Sequence, residues 1–139
     1  MSNYATENLR TLALVGHGSC GKTTLIEAML YRAGMIPEMG SIQRGTTMCD
    51  NDLLEKEVGH SIRLAVAHID TAMTDLTPVR IHILDTPGYP DYLGQDMSAL
   101  DAVKSVCAVI DPTKGPELLT RRLMAMAKER GLCRMIVIN

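Results

Sequence analysis

The chain has 139 residues, a formal net charge of −2 and 46% hydrophobic residues, which suits one domain with a single core. Its lysines and arginines are scattered and it has no Phe and no Trp, which excludes the basic face and the base-stacking platforms of nucleic-acid binders. We therefore expect no sequence-specific DNA partner.

The cysteines and the apolar segments predict a cytoplasmic protein. No stretch reaches membrane-spanning length, and the first residues lack the basic start of a secretion signal. The four cysteines lie far apart, without C-x-x-C spacing, and the histidines have no metal-ligand spacing with them. We expect free thiols, no zinc and no membrane partner.

The first predicted strand, residues 11–15, leads into a complete phosphate-binding loop. The pattern G-x-x-x-x-G-K-[ST] is filled by Gly16, His17, Gly18, Ser19, Cys20, Gly21, Lys22 and Thr23. Its glycines let backbone N–H groups approach phosphate oxygens, and the predicted helix over 23–33 adds the positive end of its dipole. Lys22 would place its charge on the β- and γ-phosphates, and the Thr23 hydroxyl would coordinate Mg²⁺. The pattern predicts binding of a nucleoside triphosphate.

A long connection follows the helix. Residues 35–60 show little periodicity, which predicts a mobile functional loop, and the charged run Glu55-Lys56-Glu57 within it indicates a solvated surface. Two apolar strands, over 62–69 and 79–84, are then separated by a turn near Pro78 and predict a hairpin.

The sequence Asp85-Thr86-Pro87-Gly88 comes directly after the second strand of this hairpin. In a P-loop protein Asp85 would hold Mg²⁺ through a bound water, and the N–H group of Gly88 would approach the γ-phosphate. Release of that contact after hydrolysis would make this loop a switch.

The remaining residues predict further alternation of helices and strands. A helix over 92–104 precedes an apolar strand over 105–110, and a helix with Pro116 near its start precedes a strand over 134–138. Such alternation predicts an α/β fold with a mainly parallel sheet, helices on both faces and ligands at the carboxyl ends of the strands.

Motifs along the whole chain resemble those of the G domain of elongation factor G and its close paralogues. They are Gly16-His17, Gly21-Lys22-Thr23-Thr24, Leu30-Tyr31, Gly45-Thr46-Thr47, Asp85-Thr86-Pro87-Gly88, Asp91 and Ile136-Val137-Ile138-Asn139. The resemblance implies a P-loop NTPase G domain that binds GTP or GDP with Mg²⁺ and acts on the ribosome in translation. It also implies a switch I region at about 35–61 and a switch II region at about 85–97.

Asn139 matches the first residue of the N-K-x-D motif that reads guanine in this family, although by itself it could equally be a strand-end Asn. The rest of the motif does not follow. We therefore expect residues 1–139 to be an incomplete G domain, truncated before its last strand and helix and without the later domains. An unpaired sheet edge invites association, and we give an oligomer formed that way little biological weight.

The family usually has His after Asp-Thr-Pro-Gly, where it orients the attacking water, and this chain has Tyr89. A phenol can hydrogen-bond a water but cannot become a charged donor as an imidazole can. Tyr89 resembles a divergent paralogue branch and predicts weak intrinsic hydrolysis. The equal alternative is that Tyr89 packs or lies exposed without a chemical role.

Two further departures concern the switch I region and the phosphate loop. The family's Arg-Gly-Ile-Thr corresponds to Val58-Gly59-His60-Ser61, in which Ser61 could supply the Mg²⁺ hydroxyl or could equally just begin the next strand. Ser19 stands where the family often has Asp. For His17 we favour local packing or hydrogen bonding over a role at the phosphates.

Two functions from different classes follow. The first is a GTPase in which Lys22 and Tyr89 serve catalysis, and Thr23, Ser61 and Asp85 hold Mg²⁺. The second is a nucleotide-dependent binding switch with little or no hydrolysis, in a non-translocase paralogue. A P-loop ATPase or kinase is a weaker third option.

Overall fold

The structure, a computed structural model, describes residues 4–49, 55, 60–73 and 75–139. The strands in this part are β1 (Leu9–Val15), β2 (Ala65–Ala72), β3 (Pro78–Asp85), β4 (Ser105–Ile110) and β5 (Cys133–Ile138). The α-helices in this part are α1 (Lys22–Arg32), α2 (Leu93–Ala102) and α3 (Leu118–Glu129). Short 3-10 turns cover Thr6–Asn8 and Pro90–Tyr92.

The five strands form one sheet in the order β2-β3-β1-β4-β5. Strands β3, β1, β4 and β5 are parallel, and β2 pairs with β3 in the antiparallel direction. The predicted hairpin and the predicted mainly parallel sheet are both confirmed. The register that pairs Leu14 of β1 with Asp85 of β3 brings the carboxyl ends of these strands together.

Apolar side chains pack on both faces of the sheet. On one face, Ala13 and Val15 of β1 pack with residues of α2 and α3, among them Leu100 and Leu123. On the other face, the intervening Leu14 packs with residues of α1. Because alternate residues of a strand point to opposite faces, a single apolar run serves both layers. Each fully buried Leu side chain contributes roughly 1.5–3 kcal/mol to stability.

Strand β2 begins at Ala65, three residues later than the apolar pattern predicts. The reason is that the N–H groups of Ile62, Arg63 and Leu64 donate to side chains. The first two donate to Oε1 of Glu55, each at 2.9 Å, and the third donates to Oε1 of Gln95 at 2.6 Å. Side-chain acceptors therefore replace the sheet ladder over these three residues.

Helix α2 ends at Ala102, before the predicted Lys104, because the next residue, Val103, is extended and buried. Helix α3 begins at Leu118, since Glu117 still has an extended backbone with ψ of 168°. Such shifts of one or two residues are normal at helix ends. They leave the predicted order of elements unchanged.

Candidate functional site

The predicted phosphate-binding loop joins the buried end of β1 to α1. Gly21 is the N-cap residue of α1 and has no side chain that could cap the first N–H groups of the helix. Those N–H groups and the positive end of the helix dipole favour an anionic group at this end. These are the features on which the predicted phosphate binding depends.

The side chain of Lys22 lies inside this loop. It is 5% exposed, and its Nζ donates hydrogen bonds to the carbonyl oxygens of Gly16, at 3.2 Å, and His17, at 2.9 Å. Two carbonyl acceptors hold the ammonium group in place without neutralising its charge. The charge is therefore positioned beside the N-terminus of α1, where phosphate oxygens would come.

Three oxygen-bearing side chains meet next to Lys22. The hydroxyl of Thr23 donates to Oδ2 of Asp85 at 2.6 Å, and Oγ of Ser61 lies 3.3 Å from Oγ1 of Thr23. These residues come from α1, the end of β3 and the segment before β2, so only the fold brings them together. Hydroxyl and carboxylate oxygens are the ligands that Mg²⁺ prefers, and this donor set fits that ion.

Gly88 lies directly against the phosphate loop. Its φ is 78°, and a Cβ atom placed on it would collide with Nζ of Lys22 and with the carbonyl oxygen of Gly16. Any other residue would push this loop away from the lysine. The loop after β3 can therefore bring its backbone as close to the phosphate loop as the sequence predicts.

Asn139 reaches the same region from the end of β5. Its Nδ2 donates to the carbonyl oxygen of Cys20 at 3.3 Å, and its backbone N–H donates to Ile110 at 3.0 Å. The Cys20 side chain is buried, and this burial raises the pKa of its thiol. The amide of Asn139 thus braces the phosphate loop from the carboxyl end of the sheet.

The other predicted site residues lie around this centre. Ser19 is exposed and lines a narrow cavity with Lys22 and Thr23. Thr24 is exposed and lines a separate depression with residues 40–43 and Thr47. His17 is buried with its Nδ1 2.5 Å from the carbonyl oxygen of Gly18, in line with the local role we favoured.

The sequence profile described as Elongation factor Tu GTP binding domain matches residues 7–139. The chain belongs to this family of GTP-binding domains. The predicted α/β G-domain fold and the resemblance to translational GTPases are confirmed.

Relatives of this GTP-binding domain include translation factors and resistance proteins. It is 35% identical over 131 residues to an elongation factor G-like protein of Mycobacterium tuberculosis, covering 94% of the chain and 18% of that protein. It is 34% identical over 128 residues to tetracycline resistance protein TetM from transposon Tn1545 of Enterococcus faecalis, covering 92% and 19%. The chain thus spans 18–19% of the length of these two relatives.

Solved structures resemble this GTP-binding domain as well. The crystal structure of ttk003000868 from Thermus thermophilus superposes with a TM-score of 0.84 at 36% identity, covering 93% of this chain and 19% of that one. The structure of bacterial selenocysteine-specific elongation factor EF-Sec gives a TM-score of 0.72 at 25% identity, with the same coverage of both chains.

In this GTP-binding domain Tyr89 packs between two loops. Its ring lies against the backbone of Gly18, where an added Cβ would collide with Cζ and lie 2.7 Å from the hydroxyl oxygen. Its other neighbour is the imidazole of His60, with ring centroids 4.6 Å apart. Tyr89 therefore lies beside the phosphate loop and is packed there.

The prediction of a solvated surface around Glu55 is wrong. Glu55 is 5% exposed and accepts the backbone hydrogen bonds of Ile62 and Arg63 that were described above. A carboxylate that accepts several N–H bonds is stabilised when buried, which sequence spacing does not reveal. Lys56 and Glu57 lie outside the described residues, as do Val58 and Gly59 of the switch I motif.

Glu27 is a second buried acid that the sequence analysis missed. It lies on α1, is 1% exposed, and accepts the N–H groups of Gly40 at 2.9 Å and Met48 at 2.5 Å. The signal was an acidic residue within the apolar stripe of a helix, next to Ile26 and one turn before Leu30. Glu27 anchors the described part of the connection, residues 35–49, whose predicted mobility stays a prediction.

Asp96 is a third buried acid that the sequence analysis missed. As with Glu27, the signal is an acidic residue on the apolar face of a helix, here beside Ala99 and Leu100 of α2. It is 0% exposed, and neither carboxylate oxygen has a hydrogen-bond partner among the described residues. Burial raises the pKa of Asp96, and the Thr86 side chain, followed by the charge of Lys22 and the backbone of Gly88, opposes this only in part. The Thr86 hydroxyl, nearby, donates instead to the carbonyl oxygen of Leu14 at 2.9 Å. Asp96 is thus a buried acid behind the loop that carries Gly88.

Two features are absent from the part of the chain that the structure describes. No group of three or more His, Cys, Asp and Glu side chains in this part of the chain could hold a metal ion. No helix within the same residues is long and apolar enough to cross a membrane. The expectations of no zinc and no membrane partner stay predictions.

Proposed function

We propose that this chain is the N-terminal part of the G domain of an elongation factor G-like protein that binds GTP with Mg²⁺ and hydrolyses it on the ribosome. The observation that carries the proposal is the meeting of Thr23, Asp85 and Ser61 beside the buried amine of Lys22. Within a family of GTP-binding domains, this is the arrangement that a metal-bound triphosphate requires.

Each of these groups has a distinct task in the proposed site. The Lys22 amine and the N-terminus of α1 would stabilise negative charge on the β- and γ-phosphates. The oxygens of Thr23, Ser61 and Asp85 would hold Mg²⁺, which when bound neutralises further charge on the same phosphates. Tyr89 lies in the loop after β3 and would help to position the attacking water, either directly or through a neighbouring side chain.

The moving parts of the switch would be two loops. We assign switch I to about 35–61 and switch II to about 85–97, which contains Gly88 and the first half of α2. The N–H group of Gly88 would bind the γ-phosphate and lose that contact after hydrolysis. The carboxyl end of β5, with Asn139, would approach the guanine base, and GDP would remain until exchange.

The ribosome is the proposed partner and the cytoplasm the proposed compartment. The support is the similarity of this chain to an elongation factor G-like protein and to a selenocysteine-specific elongation factor. Later domains of a longer protein would provide most contacts with the ribosome. The step of translation at which it acts depends on those domains.

A nucleotide-dependent binding switch with little hydrolysis is the second candidate. The observation that favours it is the packing of Tyr89 on Gly18 and His60, where the family usually has His. A packed phenol supplies no charged donor for catalysis.

GTP turnover by the full-length protein, with and without ribosomes, tests the proposal. We expect ribosomes to stimulate release of phosphate from GTP, and excess unlabelled ATP to leave this turnover unchanged. Tight GTP binding without stimulated turnover would favour the binding switch. Competition by ATP at equal concentration would overturn the assignment to GTP.

A further inference from the structure

Two rings from different loops face each other at the proposed phosphate site. The imidazole of His60 and the ring of Tyr89 have centroids 4.6 Å apart and planes inclined by 47°. Both rings line a narrow cavity of about 50 Å³ together with Lys22, Thr23 and Ser61. The cavity is large enough for a water molecule and is lined by the residues assigned to phosphate and metal.

The backbone that carries His60 is held at several points. The adjacent Ser61 contacts Thr23, and the next residue, Ile62, donates its N–H group to Glu55 at 2.9 Å. The carbonyl oxygen of Ile62 accepts a hydrogen bond from Nε2 of Gln95, also at 2.9 Å. These contacts join the segment to α1 and α2, so the fold determines where the imidazole lies.

Tyr89 has a different environment from His60. The end of its ring packs on the backbone of Gly18, so the phenol contacts the phosphate loop itself. The imidazole packs on the Tyr89 ring from the side of switch I. Tyr89 thus supports His60, and His60 brings a second hydrogen-bonding side chain to the narrow cavity.

We propose that His60 is the residue that positions the attacking water, and that Tyr89 holds its imidazole in place. This inference rests on the GTP hydrolysis proposed above. In that reaction the water oxygen bonds to the γ-phosphorus, the bond to the β–γ bridging oxygen breaks, and the water protons end on the released phosphate. A neutral imidazole has one N–H donor and one acceptor nitrogen, which suffices to orient a water molecule.

Two substitutions separate hydrogen bonding from ring packing. His60→Gln keeps a donor and an acceptor but loses the ring, whereas His60→Phe keeps a ring against Tyr89 and loses both polar groups. The matched controls are His68→Gln and His68→Phe, since His68 is exposed on β2 and does not line the narrow cavity. All are made in the full-length protein.

The readouts are GTP affinity by calorimetry and the kcat and KM of ribosome-stimulated turnover. We expect His60→Phe to lower kcat about 100-fold, the loss expected when a reacting group is misplaced, with GTP affinity and KM nearly unchanged. His60→Gln should retain more activity than His60→Phe, and the His68 controls should match the wild type.

Three results would overturn the inference. Wild-type kcat in His60→Phe would show that only the ring matters. A loss confined to GTP affinity would make His60 a binding residue. Absence of stimulated turnover in the wild type would overturn the proposed hydrolysis as well, and intact GTP binding in the same samples would show that the nucleotide assignment survives.

Discussion

The hydroxyl of Thr23 donates a 2.6 Å hydrogen bond to Oδ2 of Asp85, across 62 residues of sequence. The bond joins the first turn of α1 to the end of β3, at the carboxyl edge of the sheet where ligands of this fold bind. The shared hydrogen bond would also orient both oxygens toward the proposed Mg²⁺.

Asp85→Ala is expected to weaken Mg²⁺-dependent GTP binding about 10- to 100-fold, as loss of a supporting ligand partner does elsewhere. The measurement is GTP affinity across a Mg²⁺ titration. Asp101→Ala, which removes an exposed carboxylate paired with Arg130, is the control and should leave the titration unchanged. An unchanged Mg²⁺ dependence in Asp85→Ala would contradict the metal assignment.

Lys22→Ala should abolish measurable triphosphate binding. Truncating one partner of a buried charge contact costs about 2–5 kcal/mol, equivalent to a loss of at least about 30-fold in affinity. Isothermal calorimetry with GTP gives the comparison, and Lys128→Ala on the exposed face of α3 is the control. Equal affinities of Lys22→Ala and wild type would refute the phosphate-loop assignment.

Tyr89→Phe should keep ribosome-stimulated turnover close to that of the wild type, because its ring can still pack on Gly18 and His60. Tyr89→Ala should lower kcat by about tenfold, because the imidazole then loses its support. Steady-state kinetics of both variants distinguish packing from phenol chemistry. A large loss in Tyr89→Phe would instead assign the chemistry to the hydroxyl group.

Glu27→Ala should release residues 40–48 from α1. Two N–H groups lose their carboxylate acceptor, and each hydrogen bond to a charged group contributes about 1.5–3 kcal/mol. Hydrogen exchange followed by mass spectrometry should show faster exchange of Gly40 and Met48 amides. Glu129→Ala, at the exposed end of α3, is the control. Unchanged protection would mean that other contacts hold the loop.

Asp96→Asn should raise stability at pH 7 by about 1 kcal/mol, because it removes a buried charge whose oxygens accept no hydrogen bond within the geometric limits among the described residues. Burial raises the pKa of Asp96 above its usual 3.8, so the folded state binds this proton more tightly than the unfolded state. Wild-type stability therefore falls as the pH rises from about 3.8 through the raised pKa, and stays lower above it.

Thermal unfolding of wild type and Asp96→Asn between pH 4 and pH 8 measures this difference. It should be smallest near pH 4, where both side chains are neutral, and reach its full size at neutral pH. Asp101→Asn controls for the loss of an exposed carboxylate. A stability gain of the same size at all pH values would rule out the ionisation of Asp96 as its cause.

Several elements of the fold follow from short-range patterns alone. Strand β4 has the bounds that the sequence predicts, residues 105–110. A short apolar run bounded by turns is typical of a buried strand in a parallel sheet. The hairpin of β2 and β3 is also predicted, and Arg80 pairs across it with Asp70 at 2.7 Å. The start of β2 is not predicted, because distant Glu55 and Gln95 take its hydrogen bonds.

The sequence by itself determined the phosphate-binding loop, the candidate metal residues and the α/β architecture, because fixed spacing and apolar periodicity are local properties. Only the tertiary structure decided which acids are buried and which loops meet. Glu27, Glu55 and Asp96 are of residue types that are mostly exposed, yet packing against distant elements removes them from water. The contact of His60 with Tyr89 has the same origin, since it joins loops that only the sheet brings together.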